Sequence, residues 1–349
     1  MQIAKRIKKA FNSYFFNILL IVFISYFVLK ITFKFSDVEE LISLFKNAKL
    51  FYLILALLFV FLWQWLVGAA LTLITRLTHP KYRYRDGFLN ALVAALFHDI
   101  TPSASGGQIA QVFVFRKQGV DLADSSSALW LEFIVYQSCL TIISLIFILL
   151  KFHYFYSQFS NMYIFVLIGF LINSAIIVFM YGFARFEKLH KWLITRGVEL
   201  GCKFHIIKDP ESVVNKVNLE AAKFRKETIY MQKNPKVISV AFVLVVLRLL
   251  VYYSIPFVIL MALGVKFSFS LLLDSIVMSS FVSIASGMIP IPGASGGSEA
   301  IFVMMFSNLV SSSVATGAML IWRGVTYYLM ILIGLIAFVT YKLKRPREC

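Results

Sequence analysis

Charged residues are scarce in this sequence of 349 residues, and their scarcity excludes an ordinary soluble protein. Asp, Glu, Lys and Arg make up 15% of the chain, whereas soluble globular domains contain roughly 25%. Hydrophobic residues make up 60%, and many lie in runs of roughly 20 residues, the length of a helix that crosses a bilayer. These features predict an all-α integral membrane protein.

Motifs for metal binding and for ATP-driven chemistry are also missing. The three cysteines, Cys139, Cys202 and Cys349, have neither metal-ligand spacing nor the pattern of a disulfide framework. The sequence contains no H-E-x-x-H motif and no Walker loop. We therefore expect no metal, no cofactor, no catalytic residue and no ATP-driven transport by this chain alone.

Basic residues outnumber acidic residues by 34 to 17, but they are unevenly distributed. The segments that we assign to the cytoplasmic side contain 26 of the 34, and the predicted outer loops contain five. This Lys/Arg excess is the usual pattern of cytoplasmic loops. It predicts a plasma-membrane protein with both termini in the cytoplasm, in contact with anionic lipids and not with nucleic acid. The cytoplasmic segments are residues 5–9, 76–85, 116–117, 185–236 and 342–347.

Six apolar runs are long enough to form full transmembrane helices. They are predicted at Phe11–Phe33, Leu50–Thr75, Ser126–Leu150, Tyr163–Phe183, Val237–Leu263 and Val314–Tyr341. Two further apolar stretches, Gly87–Phe115 and Phe267–Val310, are interrupted by Pro, Gly and Ser. The basic insert 185–236 keeps helical apolar spacing, so it is predicted to form helices on the cytoplasmic membrane surface or a soluble helical hairpin. Lys34–Lys49 is predicted to be an outer loop.

The two interruptions repeat each other. The first reads Pro102-Ser-Ala-Ser-Gly-Gly107 and the second reads Pro292-Gly-Ala-Ser-Gly-Gly297, so five of six positions match at an offset of 190 residues. The first interrupted stretch lies between cytoplasmic segments and the second between outer segments, so each must enter and leave by one face. The pattern predicts two re-entrant helical hairpins within one membrane domain, related as an inverted-topology repeat of residues 50–150 and 237–341.

The interruptions are candidate binding segments. Non-helical backbone at membrane depth is tolerated where it is buried in protein or lines a wet cavity. A half-helix that begins after Ser-Gly-Gly offers free amide groups, which suit an anion such as phosphate. The alternative is that both interruptions are packing turns between small residues, with no ligand. The predicted substrate-binding residues are Ser103, Ser105, Gly106, Gly107, Gln108, Ser295, Gly296 and Gly297.

Ionisable side chains within the predicted helices are further candidates, because a charge in the bilayer core is costly. They are Asp99, Glu132, Arg248, Asp274, Glu299 and Arg323, of which Asp99 and Asp274 are placed nearer to an interface. Arg248 and Arg323 are predicted to bind phosphate, and Tyr327 follows Arg323 by one turn. Glu132 and Glu299 are predicted to balance charge or to contact an amino group. The alternative is that Glu–Arg ion pairs only hold helices together.

The segments Pro102–Gln111 and Pro290–Glu299 resemble the paired signatures of the flippase-like membrane family. That family includes the transmembrane region of bacterial lysylphosphatidylglycerol synthase, also called multiple peptide resistance factor. The resemblance covers nearly the whole chain. It implies translocation of a phospholipid, or of an aminoacylated phospholipid such as lysylphosphatidylglycerol, across the cytoplasmic membrane.

The resemblance also implies an enzymatic alternative. In full-length synthases a separate soluble domain takes the aminoacyl group from tRNA and transfers it to phosphatidylglycerol. Because the sequence leaves no room for that domain after the last span, we expect no lysyltransferase activity in this chain itself. It would then be the membrane component of such a synthase, acting in cationic peptide resistance with a separately encoded soluble transferase.

A third function is an ion-coupled small-solute transporter, because inverted repeats are not specific to lipids. Under each of the three functions, a homo-oligomer is a possible assembly.

Overall fold

The computed structural model describes residues 38–150, 160–186 and 232–343, together with scattered positions between 192 and 230. The regular elements in these parts of the chain are all helical, without a strand among them. The predicted first span, Phe11–Phe33, and most of the basic insert 185–236 lie outside the described residues.

The structure describes the following α-helices, given in chain order. They are α1 (Val38–Lys46), α2 (Leu50–Thr75), α3 (Tyr84–Ile100), α4 (Gly106–Lys117), α5 (Leu122–Leu150), α6 (Ser160–Arg185), α7 (Pro235–Ala262), α8 (Phe269–Gly287), α9 (Gly297–Phe306), α10 (Ser312–Arg323) and α11 (Leu329–Leu343). Two short 3-10 turns interrupt the chain, Pro102–Ala104 between α3 and α4 and Pro292–Ala294 between α8 and α9. A π-helical turn, Gly324–Tyr328, joins α10 to α11 in one continuous helical segment.

Five helical segments of the described chain are long and apolar enough to cross a membrane. They are Leu50–Thr75, Leu122–Leu150, Pro235–Ala262, Phe269–Gly287 and Ser312–Thr340. Four of them coincide with predicted spans, and the fifth is α8, the first limb of the second interrupted stretch. Many large apolar side chains on these helices are exposed in the isolated chain, as lipid contact requires. The protein is therefore a multi-pass α-helical membrane protein.

The prediction of a loop at Lys34–Lys49 is wrong in part, because Val38–Lys46 forms helix α1. Leu41 is only 1% exposed, and α1 packs against α10. The Ser313 hydroxyl donates to Glu40 at 2.5 Å, and the Lys49 amide donates to the Ala262 carbonyl at 2.8 Å. A helix this short is marginal by itself, so these tertiary contacts stabilise it.

Two glycines allow α2 and α3 to approach closely. A Cβ atom at Gly68 would lie 2.6 Å from the Cα of Phe88, and a Cβ atom at Gly87 would lie 2.6 Å from the Gly68 carbonyl oxygen. The Thr72 hydroxyl donates to that same carbonyl at 2.7 Å. Small residues bring membrane helices into backbone contact, so this contact positions α3 and the interruption that follows it.

Both interrupted stretches fold back on themselves as helical hairpins, and their turns meet. Helix α3 packs against α4, α8 packs against α9, and the two 3-10 turns contact each other. Their second residues have similar left-handed backbone angles, with φ of 51° at Ser103 and 58° at Gly293. Their third residues are also left-handed, with φ of 54° at Ala104 and 49° at Ala294. The second and third residues of the repeated motif therefore share a backbone conformation, held at an energetic cost at the three non-glycine positions.

We predict that Gly68→Ala destabilises the protein by about 1–3 kcal/mol, because the added methyl group collides with the backbone of α3. Thermal unfolding of the purified protein in detergent measures the loss. Gly317→Ala on α10 is the matched control, since a Cβ there meets no atom closer than 3.4 Å. Equal melting temperatures for the two variants would contradict the close contact between α2 and α3.

Candidate functional site

A cavity of about 260 Å³ lies where the two hairpin turns meet. The end of α3 and the first turn line one side, and the second turn and α8 line the other. Helices α2, α7 and α9 and the α10–α11 segment complete the wall. Aromatic and apolar side chains such as Trp63, Pro256 and Trp322 contribute to it. Its polar lining residues are His98, Asp99, Ser103, Tyr252, Ser279, Ser283, Ser286, Ser298, Arg323, Thr326 and Tyr327.

Helix α8 contributes a serine face to this cavity. Ser279, Ser283 and Ser286 are spaced four and three residues apart, so they lie on one side of the helix. The Ser279 hydroxyl donates to the Ser275 carbonyl at 2.7 Å, one turn back. The buried Ser286 hydroxyl has no hydrogen-bond partner within the described chain. Buried polar groups are normally paired, so Ser286 has capacity to bind water or a ligand.

Arg323 is the cationic side chain of the cavity, and the second turn holds it in place. Its Nε atom pairs with Glu299 Oε1 at 2.9 Å. Its Nη2 atom donates to the Gly293 carbonyl oxygen at 2.9 Å and to the Ser298 hydroxyl. The guanidinium lies 4.7 Å from the centre of the Tyr327 ring. Its Nη1 atom makes no hydrogen bond to the described residues, so two N–H donors remain available to a ligand.

Glu299 closes the second turn as well as pairing with Arg323. Its Oε2 atom accepts from the Gly296 amide and from the Ser298 hydroxyl, each at 2.8 Å. The side chains of Arg323 and Glu299 are 8% and 7% exposed, so the ion pair is buried. Removing one partner of such a pair leaves an uncompensated buried charge. The pair thus holds α9 to α10 while presenting one edge of the guanidinium to the cavity.

Glu132 and Arg248 form a second ion pair, which does not line this cavity. Arg248 Nη1 lies 2.5 Å from Glu132 Oε1. Its guanidinium lies 4.5 Å from the centre of the Tyr136 ring on α5. Both predicted arginines therefore pair with a predicted glutamate, as the structural alternative requires, but Arg323 alone among these four residues lines the cavity.

The first glycine amide after each turn donates a hydrogen bond to a side chain of the same hairpin. The Gly106 amide donates to the Thr101 hydroxyl at 2.8 Å, just as the Gly296 amide donates to Glu299. These amides were candidates for anion binding, and in this structure side chains within each hairpin accept from them. The Gly106 and Gly296 amides are therefore not free to bind an anion in this structure.

Most other predicted residues lie beside the cavity rather than in its wall. Ser105 is exposed and donates to the Pro102 carbonyl at 2.9 Å. Gln108 lines a separate groove with Trp130 and Phe133. The Ser295 hydroxyl is buried and donates to the Tyr327 hydroxyl at 3.4 Å. Of the thirteen predicted site residues, three line the cavity: Ser103, Arg323 and Tyr327.

Two of the predicted glycines are needed for close packing. A Cβ atom at Gly107 would collide with the His98 ring, and one at Gly297 would collide with Ile289. His98 Nδ1 lies 2.7 Å from the Ala104 carbonyl oxygen. Because a carbonyl can only accept, Nδ1 carries the proton, and Nε2 is the unprotonated nitrogen of the neutral ring.

The cavity wall also contains His98, Asp99 and the serine face of α8, which are not among the thirteen predicted site residues. Asp99 is predicted to lie nearer to an interface, as is Asp274, and its position three residues before the first interruption is the sequence signal for a place at the cavity. The serine spacing on α8 is a helical-face signal that the sequence already contains. Among the described residues, no three His, Cys, Asp or Glu side chains come together as a metal site.

Gly293, Ser295 and Gly297 also have the spacing of the G-x-S-x-G nucleophile motif. That motif works in a sharp turn between a strand and a helix, with a histidine as the base. Here the segment joins two helices, and the Ser295 hydroxyl donates to Tyr327 instead of to a histidine. The surroundings of Ser295 therefore lack the geometry that activates a serine nucleophile.

Comparison with known proteins points to one membrane family. The family described as "Lysylphosphatidylglycerol synthase TM region" matches residues 15–334. A UPF0104 membrane protein of Archaeoglobus fulgidus is 28% identical over 341 residues, which cover 93% of this chain and 97% of that protein. No solved structure matches the chain.

We predict that Glu299→Gln destabilises the protein by about 3–5 kcal/mol, because it leaves the buried Arg323 guanidinium without its counter-charge. Arg323→Gln should cost a similar amount, and the double variant should be less unstable than the two single losses together. Denaturation of all four proteins in a double-mutant cycle measures the coupling. Losses that add to within about 0.5 kcal/mol would show that the two side chains do not interact.

Proposed function

Since the chain belongs to the lysylphosphatidylglycerol synthase transmembrane-region family, we propose that it is a flippase-like translocase. It would move a phospholipid, or an aminoacylated phospholipid such as lysylphosphatidylglycerol, across the cytoplasmic membrane. The observation that carries this proposal is the cavity where the two hairpin turns meet, with the cationic side chain of Arg323 in its wall. In that cavity the open edge of Arg323 suits the phosphate that these lipids share.

The cavity has the size of a headgroup site rather than of a whole-lipid site. Its volume of about 260 Å³ lies just below the roughly 300–1,000 Å³ of pockets that enclose drug-sized ligands. A phosphate with a small polar substituent would fill it, while the acyl chains remain in the surrounding lipid. The hydroxyls of Ser103, Ser286 and Thr326 would replace part of the hydration shell of the headgroup.

We propose that α3–α4 and α8–α9 are re-entrant hairpins that enter from opposite faces, between six full spans. The contact between the two turns and their matching left-handed residues support this arrangement. Transporters built from inverted repeats bind substrate where broken helices meet near the midplane. Helix α8 is itself long enough to cross the membrane, so the second hairpin would reach deep into the bilayer. Both termini and the basic insert 185–236 would be cytoplasmic, next to anionic lipids.

A second candidate is the membrane component of a phosphatidylglycerol lysyltransferase system, and the family description supports it. In this case a separately encoded soluble transferase would supply the aminoacylated lipid. Deletion of the gene would then remove lysyl-lipid from total lipid extracts. A translocase would instead leave its total amount unchanged and alter its distribution between the two leaflets.

We predict that the purified protein moves fluorescent phosphatidylglycerol between the leaflets of reconstituted vesicles, and that Ser283→Leu and Ser286→Leu reduce the rate to the protein-free background. The added side chains fill the cavity with apolar groups and remove two hydroxyls. Quenching of the label in the outer leaflet by an impermeant reductant measures the movement.

Ser270→Leu, at the exposed start of the same helix, is the matched control and should keep the wild-type rate. A wild-type rate equal to that of protein-free vesicles would overturn the translocase proposal. Wild-type movement that survives both cavity-filling substitutions would instead show that the lipid crosses by another route.

A further inference from the structure

The cavity contains an acidic side chain without a basic partner of its own. Asp99 lies at the end of α3 and lines the cavity beside the first turn. Its backbone carbonyl accepts from the Tyr327 hydroxyl at 3.4 Å, but its carboxylate makes no hydrogen bond or ion pair with the residues that the structure describes. Asp99 is half-buried in the cavity wall, so its carboxylate has capacity for a proton or a ligand.

The charges around the cavity do not favour an anion when Asp99 is ionised. The positive charge of Arg323 is balanced by Glu299 at 2.9 Å, so an ionised Asp99 leaves the site with a net charge of minus one. A phosphodiester anion would add a second negative charge where screening by water is weak. If Asp99 takes up a proton at the same time, the occupied site has the same net charge as the empty site.

The groups around Asp99 come from three parts of the fold. His98 precedes it on α3, Tyr252 faces the cavity from α7, and Arg323 and Tyr327 face it from the α10–α11 segment. Arg323 is the cationic side chain that lines the same cavity as Asp99. The Glu132–Arg248 pair lies outside the cavity wall, and its charges balance each other. Asp99 is therefore the carboxylate in this wall that can change charge when an anion binds at Arg323.

We propose that Asp99 binds one proton whenever a phosphodiester anion binds at Arg323, so that proton and headgroup cross the membrane together. This inference rests on the proposed translocase function and names its coupling ion. An O–H bond forms on the Asp99 carboxylate with a proton taken from water, and it breaks when the headgroup leaves. The protonated carboxyl donates a hydrogen bond to a phosphoryl oxygen. The cycle carries no net charge, so a pH gradient drives it and a membrane potential does not.

The dependence on pH has a definite sign. Raising the pH ionises Asp99 in the empty site, and the anion must then recover a proton in order to bind. Affinity therefore falls as the pH rises, by up to about tenfold per pH unit for one linked proton. It reaches a plateau at low pH, where Asp99 is already protonated before the anion arrives.

Calorimetry on the purified full chain in detergent tests the proton count directly. The probes are dihexanoyl phosphatidylglycerol and dimethyl phosphate, both phosphodiesters that keep one negative charge near neutral pH. Titrations in buffers of different ionisation enthalpy give the number of protons taken up with each anion. Binding of both probes would identify a site for any phosphodiester, and binding of the lipid alone would identify a site for a lipid headgroup.

At a pH above the low-pH plateau, the wild-type protein should take up close to one proton for each bound anion. Asp99→Asn should bind the same probe without proton uptake and with an affinity independent of pH. Asp274→Asn, which changes an acid outside the cavity, should keep the uptake. The proposal would be overturned by wild-type binding without proton uptake when the pH is varied across the range in which affinity should fall, by unchanged uptake in Asp99→Asn, or by no binding of either probe to the wild type.

A transport experiment with the wild-type protein in vesicles tests the proposal without any variant, so its result does not depend on whether the variants fold. An imposed pH gradient should drive labelled phosphatidylglycerol to accumulate in one leaflet, and a potassium-diffusion potential should not. If labelled lipid does not move but dimethyl phosphate binds with a proton, the translocase function fails and the proton-coupled site stands. If labelled lipid moves but anion binding takes up no proton, the translocase function stands and the coupling fails.

Discussion

The buried ion pair between Arg323 and Glu299 is the interaction on which the arrangement of the site depends. Glu299 accepts from the first amide after the second turn, and Arg323 donates to a carbonyl oxygen within that turn. One pair therefore satisfies the broken backbone on both sides of the interruption. Polar backbone at membrane depth must find partners inside the protein. Without this pair the second turn would have buried polar groups unpaired, and the cavity would lose its cation.

In the first turn, the polar backbone groups find hydrogen-bond partners without a buried ion pair. The Thr101 hydroxyl accepts from the Gly106 amide, and the Ala104 carbonyl accepts from the imidazole of His98. The two hairpins thus share a sequence motif and left-handed residues but differ in the chemistry that stabilises them. This asymmetry places the cation on one side of the cavity and Asp99 on the other. A site with this division of charge can respond differently to an anion and to a proton.

Large parts of the fold could be predicted from residue pattern, because membrane spans depend on local hydrophobicity and length. Helix α2 begins and ends at the predicted residues, and α5 and α7 differ from prediction by four residues or fewer. Helix α1 could not be predicted in this way, because a short helix depends on packing against α10. Membership of the family expected from the doubled motif is confirmed. The assignment of ligand-binding roles to the thirteen predicted residues stays a prediction.

By itself, the sequence determined that the chain is a helical membrane protein with two matching interruptions, because hydrophobic runs and repeated motifs are local properties. Only the tertiary structure decided which polar groups face a common cavity. In the folded chain, Arg248 contacts Glu132 and Tyr136. Asp99 and Arg323 line the same cavity although they are 224 residues apart in the sequence. The physical reason is that the direction of a side chain depends on how helices pack, and that packing is set by contacts between residues far apart in the sequence.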